Sequence, residues 1–449
     1  MKIEKLTTGP KQHLFGFHDI CAWNSNNDRL VAIEVDDITT PPNPAIEFGL
    51  GYVSEDKIFH RFGYTHAFNY PQGARQQWLY NTNNVIVNDI KNGNVFSKIY
   101  DTDTQKEIET CEASTHVITD DGWAFGLNYA RLFRLGAYGY AGTVDHTANE
   151  RTPVKDGIIK HNIFSKEKLL LVSTKQLSEF EMNPQLGLHH YLTHLVLSPD
   201  QKRIAFLHRY KLKDGGETTR LCTIGTDGSE LRCLVTGFLS HFDWMDNEHV
   251  MIWGRTGSGI EKFRSSLMYR IIPNSLLQQA KKTIKKFRSK NQPSATTESP
   301  FHWLSVQDKN EPSINFVANG VITEDGHPMY CPTNRNWFVC DNYPDNHDGI
   351  RTLFLYSLKD DKKIDLGKFK MINDKPNIKE SIAILKGTDE SILKAVGLES
   401  FIFTRSGLHC DLHPRWSPNG KMVAFDSIHE GDRQIYMIDV NDILNGKEK

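Results

Sequence analysis

The chain has 449 residues, with 53 basic and 55 acidic side chains and a formal charge of −2. Hydrophobic residues make up 39% and aromatics 10%, enough apolar surface to exclude a disordered chain. The balanced charge argues against nucleic acid as a partner, and no apolar run reaches the roughly 18 residues of a membrane-spanning helix. Cys21, Cys111, Cys222, Cys233, Cys331, Cys340 and Cys410 make an odd count without the paired spacing of a zinc finger. They read as reduced thiols of a cytoplasmic protein, and the opening MKIEKLTTGPKQH lacks the apolar centre of a secretory signal.

In chain order, the sequence repeats one hairpin-like unit. Ile3–Thr7 is a short strand candidate ahead of it. The first unit begins at His18 and runs HDICAWNSNNDRL; the second, QQWLYNTNNVIV, begins at Gln76. A shorter third, HVITDDGWAF, begins at His116. HLVLSPDQKRIAF begins at His194, HFDWMDNEHVMIW at His241, HPMYCPTNRNWFV at His327 and HPRWSPNGKMVAF at His413. Each unit has a polar residue, a short apolar stretch, a turn of Pro, Asp, Asn or Gly, and a β-rich strand. A hairpin cannot bury its face alone, so seven such units stack as blades around one axis. The expected fold is all-β: a seven-bladed β-propeller forming a single domain over residues 1–449. Ile3–Thr7 would add the outer strand of the last blade and close the ring. Two insertions interrupt the pattern. Residues 256–300, in blade 5, include NSLLQQAKKTIKKFRSK, where Leu276, Leu277, Ala280, Ile284 and Phe287 lie near one face of a basic amphipathic helix. That helix is a candidate contact to a partner or a second subunit. The other insertion is 371–406.

The first strand of each propeller blade lines the central channel. The polar slots therefore converge on one mouth: His18, Gln76, His116, His194, His241, His327 and His413. A single histidine there commonly just bonds to the next blade. Six imidazoles in seven slots point instead to a divalent metal, a proton-transfer site, or both. His409, Asp411 and His413 alternate along one strand and so share a face. With His327 from the preceding unit they offer imidazole and carboxylate ligands that suit Mn, Fe, Ni or Zn. Second strands return to the same mouth, where Arg209 and Arg255 suit an anionic ligand because a guanidinium binds carboxylate bidentately. NYPQGARQQW adds Arg75 and Gln76, and the Gly-rich NYARLFRLGAYGYAG adds Arg131, Arg134 and Tyr138. Arginine beside tyrosine suits an anionic sugar. With His18 and His116, these residues form the candidate substrate-binding set. No phosphate-binding loop, dinucleotide fingerprint, nucleophile elbow or HExxH helix is present.

HLVLSPDQKRIAF, and HPRWSPNGKMVAFDS followed by RQIYMIDV, resemble the repeats of TolB-type propellers. The histidine-bearing slots, with HPMY and HPRWSP, more closely resemble the oligogalacturonate lyase family. The resemblance covers the blade repeats over most of the chain. It implies a seven-bladed cytoplasmic enzyme that cleaves short uronate oligomers by β-elimination with a divalent metal, usually manganese. It further implies that His327, His409 and His413 hold the metal on the uronate carboxylate, with His241 as base and Arg209 beside it. His194, in the slot before His241, joins them as a catalytic candidate. Around the metal the sequence departs from the family, because Asp411 stands where a histidine is expected. NYARLFRLGAYGYAG does not belong to the lyase pattern either.

The expected activity is therefore lysis of an acidic oligo- or polysaccharide. Metal and arginine would stabilise the enolate-like transition state, and a neutral imidazole would take the α-proton. A hydrolase on the same scaffold remains open, as does a non-catalytic glycan- or protein-binding propeller.

Overall fold

The computed structural model describes residues 2–181, 187–214, 216–257, 301–343, 349–372, 374–377 and 382–446, with isolated positions between 263 and 277. Most of the 256–300 insertion, including the Asn274–Lys290 helix read from the sequence, lies outside the described residues.

The fold is all-β with a few short helices. The N-terminal strand is β1 (Ile3–Lys5). One sheet then holds β2 (Gln12–Leu14), β3 (Leu30–Val35), β4 (Phe48–Val53) and β5 (Phe59–Thr65) in chain order. The next holds β6 (Gln77–Trp78), β7 (Asn84–Lys91), β8 (Asn94–Asp101) and β9 (Lys106–Cys111). A third holds β10 (Val117–Ile118), β11 (Trp123–Gly126), β12 (Gly157–Asn162) and β13 (Lys168–Ser173). A seven-stranded sheet follows: β14 (His190–Leu197), β15 (Arg203–Lys211), β16 (Glu217–Gly225), β17 (Arg232–Trp244), β18 (His249–Thr256), β19 (His302–Gln307) and β20 (Ile314–Val317). Then come β21 (Met329–Tyr330), β22 (Trp337–Asp341), β23 (Ile350–Ser357) and β24 (Lys362–Lys370). The last sheet, β25 (Arg415–Trp416), β26 (Met422–Ser427) and β27 (Gln434–Asp439), takes β1 on its outer edge. Ile3 pairs with Ile438 and Lys5 with Tyr436, so the first strand covers the open edge of the last sheet.

The large sheet is long because β17 serves two neighbours. Its first half, Arg232–Gly237, pairs with β16; its second half, Gly237–Trp244, pairs with β18, and the register slips between Leu239 and Phe242. The two halves of this sheet then pack on each other. Val196, Leu207 and Leu221 share one core cluster with Trp244, Ile252 and Leu304.

Tryptophans at the bases of the inner strands tie consecutive units together. The Trp78 indole N–H donates to Ala22 O at 2.7 Å, Trp244 to Val196 O at 3.0 Å, and Trp416 to Met329 O at 2.9 Å. Trp244 and Trp416 are buried, and truncating such a side chain to Ala typically costs about 3–5 kcal/mol. The indole bond also sets the register of the repeat. His241 and His413 each stand three residues before their Trp, and in the second unit that position is Arg75. Arg75, His194 and His413 share a left-handed backbone, with φ of 57°, 59° and 44°. Arg75, rather than Gln76, therefore occupies the slot of the second unit.

Short helices fill the connections between the sheets. Residues 128–142, read as a Gly-rich loop, open with helix α1 (Tyr129–Arg134). Asn128 caps it by accepting from Arg131 N at 2.9 Å, and the Tyr129 and Tyr140 rings stack at 4.4 Å to fold the segment back. Helix α2 (Thr174–Glu179) follows β13. Within 371–406 lie α3 (Ile382–Lys386), α4 (Glu390–Val396) and α5 (Leu398–Phe403). Ile384, Phe401 and Ile402 pack against Phe133 of α1. Helix α6 (Asn441–Leu444) closes the described chain.

Candidate active site

Phe17, which the sequence reading did not single out, lies at the centre of the site. Its ring is buried, and its centroid lies 4.4 Å from His18, 4.9 Å from His194, 5.1 Å from His413, 5.9 Å from His327 and 6.1 Å from His241. Five slot imidazoles from five units of the chain thus surround one apolar ring. Two glycines let the Phe15–His18 segment reach this place. A Cβ on Gly16 (φ 137°) would come 2.8 Å from Gln72 O, and one on Gly73 (φ 61°) 2.8 Å from Phe15 O.

His327, Asp411 and His413 form the tightest group, each offering one ligand atom within 4.8 Å of the others. His327 Nδ1 lies 2.8 Å from Asp341 Oδ1, an oxygen that also accepts from the His327 backbone N–H at 2.8 Å. This fixes the tautomer and leaves Nε2 facing Asp411 Oδ2 at 4.0 Å. His327 carries two opposed influences: burial disfavours its charged form, but Asp341 and then Asp411 outweigh that and raise its pKa. Asp411 is buried too, which favours the neutral acid. The Arg351 guanidinium at 2.6 Å, with His409 at 3.2 Å, holds it well below the ordinary carboxylate range instead. Arg351 also stacks on Tyr343 at 5.2 Å, and Tyr343 lies 3.4 Å from His327 Nε2.

The donor set fits a divalent metal. Both ring nitrogens of His413 and both of His18 are buried without a hydrogen-bond partner, which costs free energy unless another ligand engages them. Burial, followed by their histidine neighbours, holds both imidazoles well below their usual pKa, so they are neutral and able to ligate at pH 7. Two imidazoles and an ionised carboxylate suit Mn, Fe or Zn. His409 touches the group through Asp411 and packs on Phe403.

His241 is built as an acceptor. Its Nδ1 lies 3.0 Å from Asp325 Oδ1 and 3.0 Å from Ser240 Oγ, and its ring is 4.3 Å from that of His327. With Nδ1–H donating to Asp325, Nε2 carries the lone pair. His194 bonds Thr193 Oγ1 at 2.8 Å, and burial, then Arg209, holds it neutral. Arg209 lies 3.5 Å from Glu217, and its buried Nε has no hydrogen-bond partner. His116 sits apart from the five. It bonds the Tyr129 hydroxyl at 2.8 Å and lies 3.8 Å from Asp19.

Several candidate residues are engaged by the protein itself. Arg75 donates to both oxygens of Asp19 at 2.8 and 3.0 Å, and to His116 O. Gln76 donates to Phe15 O. Arg131 donates to the carbonyls of His190, Thr147, Glu150 and Arg151, and Arg134 to Asp145 at 2.8 Å. Arg255 stacks between Phe238 and Phe301 at 4.9 and 4.8 Å. Tyr138 is half-buried, with Arg405 over its ring at 5.6 Å. Sequence reasoning missed Phe17, Asp325, Arg351 and Tyr343.

No family model and no curated protein matches this chain. Solved structures do. An oligogalacturonate lyase in complex with manganese aligns with a TM-score of 0.55 at 11% identity, covering 97% of this chain and 92% of that one. An oligogalacturonate lyase from Vibrio parahaemolyticus aligns with a TM-score of 0.54 at 13% identity, covering 98% and 93%. TolB from Acinetobacter baumannii aligns with a TM-score of 0.35 at 9% identity, covering 76% and 63%. The chain has the β-propeller fold of the oligogalacturonate lyases. Among the described residues, no helix is long and apolar enough to cross a membrane.

Proposed function

We propose that this protein is a metal-dependent lyase that cleaves a uronate-containing oligo- or polysaccharide by β-elimination in the cytoplasm. The carrying observation is the group His327, Asp411 and His413, set beside the orphaned ring nitrogens of His18 and His413 and within reach of the His241–Asp325 pair. We further propose seven blades, counting the two halves of β17 in consecutive blades, within one domain interrupted at 256–300 and 371–406.

His327, Asp411 and His413 would hold the metal, with His409 at its edge; manganese is the first candidate. When bound, the metal would supply Lewis-acid polarisation of the substrate carboxylate, lowering the pKa of the adjacent C–H. His241 Nε2 takes the α-proton, and the Asp325 carboxylate stabilises the imidazolium that results. Arg209 offers its guanidinium to the negative charge that develops on the carboxylate. His194, held neutral, is available to return a proton to the departing sugar oxygen only after gaining one from solvent, which makes it the weaker of the two proton carriers. Phe17 excludes water from the ring of imidazoles and keeps the local dielectric low. Arg134, Tyr138 and Arg255, which are partly exposed, extend the polar surface toward the sugar chain.

The structural neighbour's manganese and oligogalacturonate lyase identity support this reading by fold alone. The test is elemental analysis of wild type beside a His327→Ala/His413→Ala double variant, then ultraviolet detection of an unsaturated product from uronate oligomers. Stoichiometric metal lost in the variant, with product formed only by wild type, supports the lyase. Metal-free wild type after reconstitution overturns it.

A further inference from the structure

Arg405 lies just beyond α5, where 371–406 meets the loop after α1. Its Nη1 donates to Thr404 Oγ1 at 2.6 Å and its Nη2 to Gly136 O. Its guanidinium lies over the rings of Phe401 at 4.1 Å and Tyr138 at 5.6 Å. No carboxylate of the described residues lies within ion-pair distance of it. Its surroundings differ from those of its neighbours. Arg134 has Asp145 at 2.8 Å, Arg351 has Asp411 at 2.6 Å, and Arg209 has Glu217 at 3.5 Å.

A cation packed between two aromatic rings without a counter-charge is costly unless something anionic arrives. Burial holds the Arg405 guanidinium below its ordinary pKa, eased only by the Tyr138 and Tyr191 hydroxyls. The end of α5 reaches the site through Phe403, two residues before Arg405, whose ring lies 5.8 Å from that of His409, itself 3.2 Å from Asp411. The Tyr191 hydroxyl donates to Glu217 at 2.5 Å, and Glu217 is the partner of Arg209. The Tyr138 hydroxyl feels the charges of Arg405, Asp411 and Arg209, after the larger effect of its own burial.

We propose that Arg405, with Tyr138 as its platform, forms an oxyanion-binding subsite that receives the acidic group of a sugar neighbouring the one at His327, Asp411 and His413. This rests on the acidic-glycan reading above and deepens it: the preferred substrate carries at least two anionic residues in sequence. The guanidinium supplies charge and direction, and the Tyr138 ring fixes its plane. The subsite is carried by segments 128–142 and 371–406, which makes it a specificity feature rather than part of the bond-breaking machinery.

The test compares thermal melting of wild type, Arg405→Met and Arg405→Lys. Inorganic sulfate, at ionic strength held constant with sodium chloride, and trigalacturonate are the probes. Expected is a rise in wild-type Tm with both probes. Arg405→Met should melt at or above wild type without anion, since an uncompensated cation is gone, and should lose the sulfate shift. Arg405→Lys should keep part of the shift. A full sulfate shift in Arg405→Met overturns the subsite, as does wild type that responds to neither probe. Equal destabilisation of both variants without anion makes Arg405 a structural residue and also overturns it. A sulfate shift lost in Arg405→Met, with no response to trigalacturonate in wild type, leaves the subsite standing and sinks the uronate reading instead.

Discussion

Asp341→Asn tests whether the metal-ligand geometry is held from behind. Asp341 is buried, and its two oxygens meet four donors: His327 Nδ1 and His327 N at 2.8 Å, Leu412 N at 3.0 Å and His413 N at 3.4 Å. One carboxylate therefore ties β21, the His327 ring and the chain entering β25 together. An amide can satisfy only one pair of these donors; its NH2 confronts the other pair. Hydrogen bonds to a charged group contribute about 1.5–3 kcal/mol each. Losing the weaker pair and the charge on the remaining one should cost about 3–5 kcal/mol of stability. Removing the carboxylate behind a ligating histidine lowers metal affinity by about 10–100-fold. Urea unfolding of the metal-free protein measures the first effect, and manganese titration calorimetry at a temperature where the variant is folded measures the second. Asp426→Asn is the control. Asp426 is equally buried and holds Arg433 at 2.6 and 2.7 Å, so it should lose stability without losing manganese affinity. Equal manganese affinity in Asp341→Asn and wild type would refute the argument that Asp341 positions His327.

Three other perturbations have defined outcomes. Arg351→Met leaves Asp411 as a buried carboxylate without its 2.6 Å partner, an expected loss of about 3–5 kcal/mol; Asp411→Asn in the same chain should restore more than half, measured by a double-mutant cycle in urea. Phe17→Ala empties the middle of the imidazole ring and should cost about 3–5 kcal/mol, with faster solvent exchange of the surrounding histidines by NMR; unchanged stability would deny Phe17 its packing role. His161, on β12, is held by burial at a pKa of about 4 in the folded state, against its usual 6.5. Between those values the unfolded chain binds more protons, so stability falls as pH drops through that window, by up to about 1.4 kcal/mol per pH unit for this group. His161→Gln should flatten the stability-versus-pH slope by one proton between pH 6.5 and 4, and an unchanged slope would contradict the assignment.

The sequence announces its strands well because each inner hairpin carries its own turn chemistry. SPDQKR, SPNGKM and TDDGW are local signals, and so is the spacing that makes Ile3–Thr7 a closing strand. The convergence of the histidine slots was legible for the same reason, since one repeated position maps to one place around an axis. What the sequence concealed lies in contacts between units. Nothing near His241 points to Asp325, which is 84 residues away, and nothing near Asp411 points to Arg351. Phe17 reads as an ordinary apolar neighbour of His18 until five units enclose it. The second unit misled for a subtler reason. QGARQQW offers Arg75 and Gln76 in adjacent positions, and the Trp78 bond to Ala22 together with the left-handed backbone of Arg75 puts Arg75 in the slot. In 128–142, the glycines suggested a loop while the Asn128 cap and the Tyr129–Tyr140 stack made a helix.

A left-handed backbone marks three of the slot positions. Arg75, His194 and His413 have φ between 44° and 59°, a region that costs a non-glycine residue free energy wherever it occurs. At His194 this coincides with a slip in the β14–β15 register between Thr193 and Val196. A bulge of this kind interrupts the in–out alternation and re-aims one side chain. Without it, His194 would follow the pleat into the sheet packing rather than turn its ring toward Phe17. The same conformation in Arg75 carries a guanidinium inward, where Asp19 neutralises it, so the backbone device does not depend on the residue it presents. Histidine at 194 and 413 and arginine at 75 are then different side chains presented by the same backbone conformation. The chemistry of the mouth follows from which side chain each unit places there: neutral imidazoles at His18, His194 and His413, a charge-paired one at His327, and an arginine at position 75 paired with Asp19.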